Sequence, residues 1–250
     1  MSKPDHIELP TGEQIPILYE DRSVLAIDKP RGWMLVPFSW QKTSRNLQAA
    51  LTSSIAARDF WAHSRHLKFI RFVHRLDADT SGILLLAKSP GAVDTFGNLF
   101  ESRKMDKVYL AVSRGIPAQN EWICRQRIAP DTRRRGRMRI DARSGKDAET
   151  AFRVLGKCGY LALIEARPVT GRTHQIRLHL ADSGLPIAGD PLYGDPRDKE
   201  KTALGLRAVQ LSYRDPFTRR PVSINAPAEA FLAEFGFPTE VSPRDPATKL

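Results

Sequence analysis

The chain of 250 residues has only two cysteines, Cys124 and Cys158, far apart and without a C-x-x-C partner. That usage supports neither a disulfide framework nor a structural zinc site. No apolar run reaches the roughly 18 residues of a membrane-crossing helix, and Met1 to Pro10 lacks the basic-then-apolar order of a secretory signal. The expectation is a protein with no membrane role that stays in the cytoplasm where it is made. Neither G-x-x-x-x-G-K-[ST] nor G-x-G-x-x-G occurs, so a nucleotide cofactor has no support. His174 and His179 are five residues apart, which on a helix turns them about 140° away from each other; the i, i+4 spacing of a helical zinc pair is missing. No metal and no cofactor are expected.

What is present is positive charge. Lys and Arg number 39 against 28 Asp and Glu, a net charge of +11, and a surplus of this size attracts polyanions, nucleic acid first among them. The apolar share of 41% and charged share of 27% are those of an ordinary globular chain. A single domain over 1–250 is expected, with its core over about 14–236 and a frayed, proline-rich tail over about 238–250.

Ile17 to Pro30 reads as two short strands around a polar turn, an edge hairpin. Leu47, Ala50, Leu51 and Ile55 recur at helical spacing after Asn46, a candidate cap. Ile83 to Ala87 is uninterrupted apolar sequence, as in a strand buried on both faces. Pro90 opens a helix with Val93, Phe96 and Phe100 on one side, and Lys107 to Ser113 alternates as a strand. Further strands are expected over Glu121–Ile128, Glu149–Leu155 and Leu161–Ala166. Arg133, Arg134, Arg135, Arg137 and Arg139, with Arg143 and Lys146, make a basic loop or hairpin over about 131–146; set within so basic a chain, it is a candidate phosphate contact rather than only a solvated face.

Two clusters could carry chemistry. Asp77 and Asp79 stand in His74-Arg-Leu-Asp-Ala-Asp-Thr-Ser-Gly82, directly ahead of the most apolar strand. Such a loop can hold a carboxylate at a sheet end while leaving it open to a ligand, although a turn whose Asp and Thr satisfy their own backbone fits the same residues. In Thr170-Gly-Arg-Thr-His-Gln-Ile-Arg-Leu-His-Leu180 Ile176, Leu178 and Leu180 alternate like a strand, but a Thr173 cap, the Ile176/Leu180 pair and the stop at Ser183-Gly184 favour a helix, with Arg172 and open backbone N–H groups at its start as an anion site and Arg177 one turn in.

Together these stretches resemble the RluA-like family of pseudouridine synthases, which modify uridines in ribosomal and transfer RNA. The resemblance runs from about Ile17 to Phe231 and rests on six blocks in order: Asp28-Lys-Pro-Arg-Gly32, His74 to Lys88, the Lys107/Tyr109/Ala111 strand, Lys146-Asp-Ala-Glu-Thr150, Thr170 to Arg177, and Gly189-Asp-Pro-Leu-Tyr-Gly194. It implies an α+β fold with a mixed, mostly antiparallel central sheet flanked by helices and loops, and an active cleft across the sheet. It assigns catalysis to Asp77 rather than Asp79, stacking on the target base to Tyr109, pairing with the catalytic carboxylate to Arg177, and entry into the vacated base position to Arg75. The implied enzyme is a cofactor-free isomerase acting as a monomer on rRNA or tRNA, on a loop uridine, which costs less to unstack than a paired one. Leu185 and Arg207 stand where the family commonly has histidine, and no N-terminal S4 RNA-binding domain is expected. Two other readings keep part of the pattern: an RNA-binding protein without chemistry, and a hydrolase that releases uracil.

Overall fold

The computed structural model describes residues 3–9, 11–35, 45–194 and 203–240; most of the expected tail lies outside them. In chain order the elements are β1 (His6–Glu8), β2 (Gln14–Glu20), β3 (Val24–Lys29), α1 (Leu47–Ala56), α2 (Phe60–His63), β4 (Arg71–Phe72), β5 (Ser81–Ala87), α3 (Pro90–Glu101), β6 (Met105–Arg114), β7 (Glu121–Cys124) and β8 (Ile128–Pro130). They continue with β9 (Met138–Ile140), β10 (Thr150–Cys158), β11 (Leu161–Pro168), α4 (Gln175–Asp182), β12 (Leu206–Arg214), β13 (Pro221–Asn225) and α5 (Glu229–Glu234). The chain divides into two compact units, one of Met1–Met105 with Leu211–Ala226 and one of Asp106–Gln210 with Pro227–Leu250.

In the first unit β2 and β3 form the expected hairpin, tied at its turn by Asp21, whose carboxylate accepts from Ser23 N and Val24 N at 2.7 and 2.8 Å. The hairpin is not an edge: β1 pairs outside β2, and β3 pairs β5 antiparallel from Val24↔Ala87 to Lys29↔Gly82. Every residue of β5 is buried, as the unbroken apolar run requires. Ile83, Leu85 and Ala87 share a core with Val24, Ala26 and the α3 residues Ala92 and Phe96. Phe96 is fully buried, so truncating it to alanine costs about 3–5 kcal/mol. Asn46 caps α1 through Ala49 N, and Ser89 caps α3 with Pro90 in its first turn, which is where proline's missing N–H costs nothing.

In the second unit β11 pairs β6 and β10 antiparallel, and β10 pairs β7. Period-two alternation along β6 sends Ala111 to one face, with Ile176 and Leu180 of α4, and Val108, Leu110 and Val112 to the other, with Phe231 and Leu232 of α5. The expected strand over 121–128 is instead two strands, β7 and β8, broken at Arg125-Gln126-Arg127. The break leaves Gln126 O to the ring of His179 at 3.0 Å.

Candidate active site

Asp77 lies between β4 and β5, and its backbone neighbours are fixed from several directions. His74 Nε2 accepts from Leu85 N at 3.0 Å while its ring stacks on Phe100 at 4.4 Å. Lys29, fully buried, donates from Nζ to Ala78 O at 2.7 Å, Thr80 O at 2.9 Å and Pro30 O at 3.0 Å. Gly32, at φ +79°, adds its N–H to Ala78 O at 2.9 Å, and Thr80 N returns to Asp77 O at 3.2 Å. Burial pushes the Lys29 ammonium down to about 8, against the pull of the Asp79 and Asp77 carboxylates. Within this frame Asp77 is half-buried, and Arg75 and Asp79 are exposed. The backbone that carries Asp77 is thereby held at several points.

The second unit carries the other expected residues. Tyr109 is half-buried on β6, on the face that α4 covers. Lys107, two residues before it, reaches Thr170 O at 3.2 Å, and burial pushes its ammonium down to about 8. Arg177 is buried in α4 and grips Asp190 in a fork, Nε to Oδ2 at 2.8 Å and Nη2 to Oδ1 at 2.7 Å. Burial alone would raise the Asp190 carboxyl, but Arg177 and the N–H groups of Leu192 and Tyr193 outweigh it and hold it below the ordinary carboxylate range.

The start of α4 differs from expectation. Thr173 is not the cap; His174 holds that position in the left-handed region, at φ 56°, with no side-chain capping bond. Gln175 organises the turn instead. Its Oε1 accepts from Arg172 N at 2.9 Å and Thr170 Oγ1 at 2.7 Å, and its Nε2 donates to Glu149 O and Thr150 Oγ1. The Arg172 amide is therefore spent on Gln175, and the Arg172 side chain donates to Asp147 O at 2.9 Å. His179 is buried with both ring nitrogens engaged, Nδ1 with Thr150 Oγ1 and Nε2 with Gln126 O. Since a carbonyl can only accept, Nε2 carries the proton.

The basic stretch is a hairpin of β8 and β9, and it is anchored. Met138, Ile140 and Tyr193 pack with Leu178 of α4. The Tyr193 hydroxyl accepts from Met138 N at 2.8 Å and lies 2.9 Å from His174 Nδ1, while Arg137 and Arg177 lie 5.1 and 5.4 Å from its ring centre. Arg133, Arg134, Arg135 and Arg139 are exposed, Arg137 half-buried. Arg139 pairs with Asp141 at 2.5 Å.

The Lys29-clamped loop that carries Asp77 and the strand that carries Tyr109 are built from the quoted blocks, on mostly antiparallel strands in a strongly basic chain, while Arg177, expected to pair with the catalytic carboxylate, forks onto Asp190. The family model described as RNA pseudouridylate synthase matches residues 23–182. The chain belongs to the RNA pseudouridylate synthase family. That membership makes it an isomerase by class. An uncharacterised RNA pseudouridine synthase of Bacillus subtilis is 33% identical over 226 residues, covering 88% of this chain and 71% of its own length. Another from Zymomonas mobilis is 34% identical, with 88% of this chain and 97% of that protein covered. The ribosomal large subunit pseudouridine synthase C of Vibrio vulnificus is 36% identical, with 84% and 65% covered. Among solved structures, human RNA pseudouridylate synthase domain containing 1 superposes with a TM-score of 0.67 at 26% identity over 85% of this chain and 83% of that one.

As a pseudouridine synthase by family, the chain has its α+β, mostly antiparallel fold accounted for. Leu185 and Arg207, its departures from the family's histidines, are both structural in part. Leu185 packs beneath α4, and Arg207 donates from Nε to Pro227 O at 2.8 Å. Sequence reasoning missed Lys29, Gln175, Asp190 and Tyr193 as organisers of the two clusters. Each lies inside a quoted block, which was their available signal.

Proposed function

We propose that the protein isomerises one or more specific uridines in ribosomal or transfer RNA to pseudouridine, with Asp77 as the catalytic carboxylate. The observation that carries this reading is the Lys29-clamped loop presenting a half-buried Asp77, within a chain whose family match spans that loop.

In the proposed reaction the N1–C1′ bond breaks, the uracil turns, and C5–C1′ forms; the C5 proton leaves and N1 gains one, so the product is an isomer of the substrate. No cofactor enters this balance. Asp77 either attacks C1′ or removes the C2′ proton, and both routes require it ionised. Tyr109 offers a flat face for the extruded base, and Arg75 fills the vacancy in the RNA with a planar group able to stack or hydrogen bond. Arg177 acts on the catalytic carboxylate. Its guanidinium has five N–H donors, and Asp190 fixes its plane through Nε and Nη2. Arg172, Arg133, Arg134, Arg135, Arg137 and Arg139 meet RNA phosphates, the protein works as a monomer in the cytoplasm, and its target is a loop uridine.

The test is carbodiimide mapping of pseudouridine in total RNA from cells lacking the protein, complemented with wild type or Asp77→Ala. Loss of a site that only wild type restores supports the reading. An unchanged map, or restoration by Asp77→Ala, overturns it.

A further inference from the structure

The first unit has a feature that the proposed chemistry does not use. A cleft of about 580 Å³ lies beside the β2–β3 turn, lined by five cations, Lys3, Arg22, Arg65, Lys68 and Lys88, and by only two carboxylates, Glu20 and Asp21. The two carboxylates are consumed internally. Glu20 binds Arg65 at 2.9 Å, Lys88 at 2.5 Å and Lys3 at 3.5 Å, and Asp21 takes the amides of its own turn and the Tyr19 hydroxyl at 3.1 Å. Arg22 and Lys68 are exposed and, among the described residues, make no ion pair or side-chain hydrogen bond.

A second hollow of about 810 Å³ shares Asp21 and Arg22 with the first and continues to Phe217 and Arg220. Phe217 is 58% exposed, which is unusual for so large an apolar ring. It is also held in place: Asp215 Oδ1 accepts from Phe217 N at 3.0 Å and Thr218 N at 2.5 Å, and the ring leans on Phe96 at 6.2 Å. The two hollows share Asp21 and Arg22 and together run from the exposed cations Arg22 and Lys68 to a presented aromatic face. Single-stranded nucleic acid is bound by that combination, phosphates on the cations and a base on the ring.

We infer that this track on the first unit, formed by Arg22, Lys68 and Phe217, binds a single-stranded RNA segment remote from the reacting uridine. The inference rests on the RNA substrate proposed above. Its position follows from β5: Val24↔Ala87 marks the end beside the β2–β3 turn and Lys29↔Gly82 the end beside Asp77, a separation of about 17 Å along the strand. The track therefore selects RNA that continues well beyond the target uridine, and a minimal substrate does not reach it.

The test uses the full chain with a fluorescein-labelled 20-nucleotide oligouridylate, measuring anisotropy over a range of salt. Arg22→Glu/Lys68→Glu is expected to weaken binding at least ten-fold and to reduce the slope of log K against log salt by about 1.4, two phosphate contacts' worth on a single strand. Phe217→Ala is expected to weaken it roughly five-fold or more, with the slope unchanged. Thermal melts matching wild type confirm that these exposed substitutions leave the fold intact. Should one variant melt early, photocrosslinking of wild type to a 4-thiouridine oligonucleotide decides instead, with adducts expected on peptides holding residues 63–69 or 215–221. Affinity within two-fold of wild type and an unchanged slope, or crosslinks confined to other peptides, overturn the inference and leave the cleft to an acidic protein partner. Because binding is read without turnover, wild type that binds through the track yet forms no pseudouridine contradicts the proposed reaction alone.

Discussion

Replacing Lys29 with methionine removes the ammonium that clamps the Asp77 loop while nearly conserving volume. Three hydrogen bonds to Ala78, Thr80 and Pro30 carbonyls are lost, each worth about 1.5–3 kcal/mol from a charged donor. Against that, methionine escapes the cost of burying the charge, about 3 kcal/mol as read from the depression to about 8. The net loss is about 1.5–6 kcal/mol, a drop in Tm of at least roughly 3 °C for a chain this size. The loop's displacement by even about 1 Å lowers kcat on the order of 100-fold, with KM for RNA little changed. The pH dependence has two signs. Native Lys29 releases its proton near pH 8 and the unfolded chain only near 10.5, so the unfolded state binds more protons in that window. Lys29's contribution to stability then rises with pH across it. Activity moves the other way, since a neutral amine has two N–H groups for three carbonyls. Lys107 also titrates near 8, so kcat–pH profiles are compared for wild type, Lys29→Met and Lys107→Met at 25 °C. A Lys29→Met protein with wild-type Tm and kcat refutes the clamp.

Asp190→Asn leaves the Arg177 guanidinium buried without its counter-ion, so denaturant titration is expected to show a loss of about 3–5 kcal/mol. Asp190's depressed carboxyl adds a pH signature: its stabilisation is present above the ordinary carboxylate range and lost as pH falls through its folded value, an acid-side loss that Asp190→Asn lacks. Tyr193→Phe removes the hydroxyl that accepts from Met138 N and meets His174 Nδ1; about 1 kcal/mol of stability is lost, and hydrogen exchange quickens at Met138. Arg134→Glu/Arg135→Glu, on the exposed tip of the basic hairpin, should weaken RNA binding more at low salt than at high salt without moving Tm, which filter binding and a melt together measure.

Where local pattern decides the structure, the sequence was legible. The apolar run 83–87 is the buried strand its sequence suggested, and Asn46 and Pro90 mark the starts of their helices through local first-turn chemistry. Elements whose boundaries depend on distant partners were misread. β1 covers the supposed edge hairpin; Gln126 leaves the ladder because its carbonyl serves His179, 53 positions away; and Thr173 loses the cap to a turn built around Gln175, which is held by Glu149 and Thr150. The site divides in the same way. Asp77, Tyr109 and Arg177 stand in recognisable blocks; Lys29 and Asp190 stand in quoted blocks too, but that Lys29 clamps a loop 49–51 positions away and Asp190 grips Arg177 at 13 shows only in the folded chain.

The central claim, that Asp77 and not its neighbour Asp79 performs the isomerisation, is tested most directly by tritium release from RNA labelled at uridine C5, since that hydrogen must leave when C5 bonds to C1′. Wild type and Asp79→Asn are expected to release tritium with pseudouridine formed in equal amount, and Asp77→Asn to release none above background while still binding RNA. Release by Asp77→Asn at the wild-type rate would contradict the account.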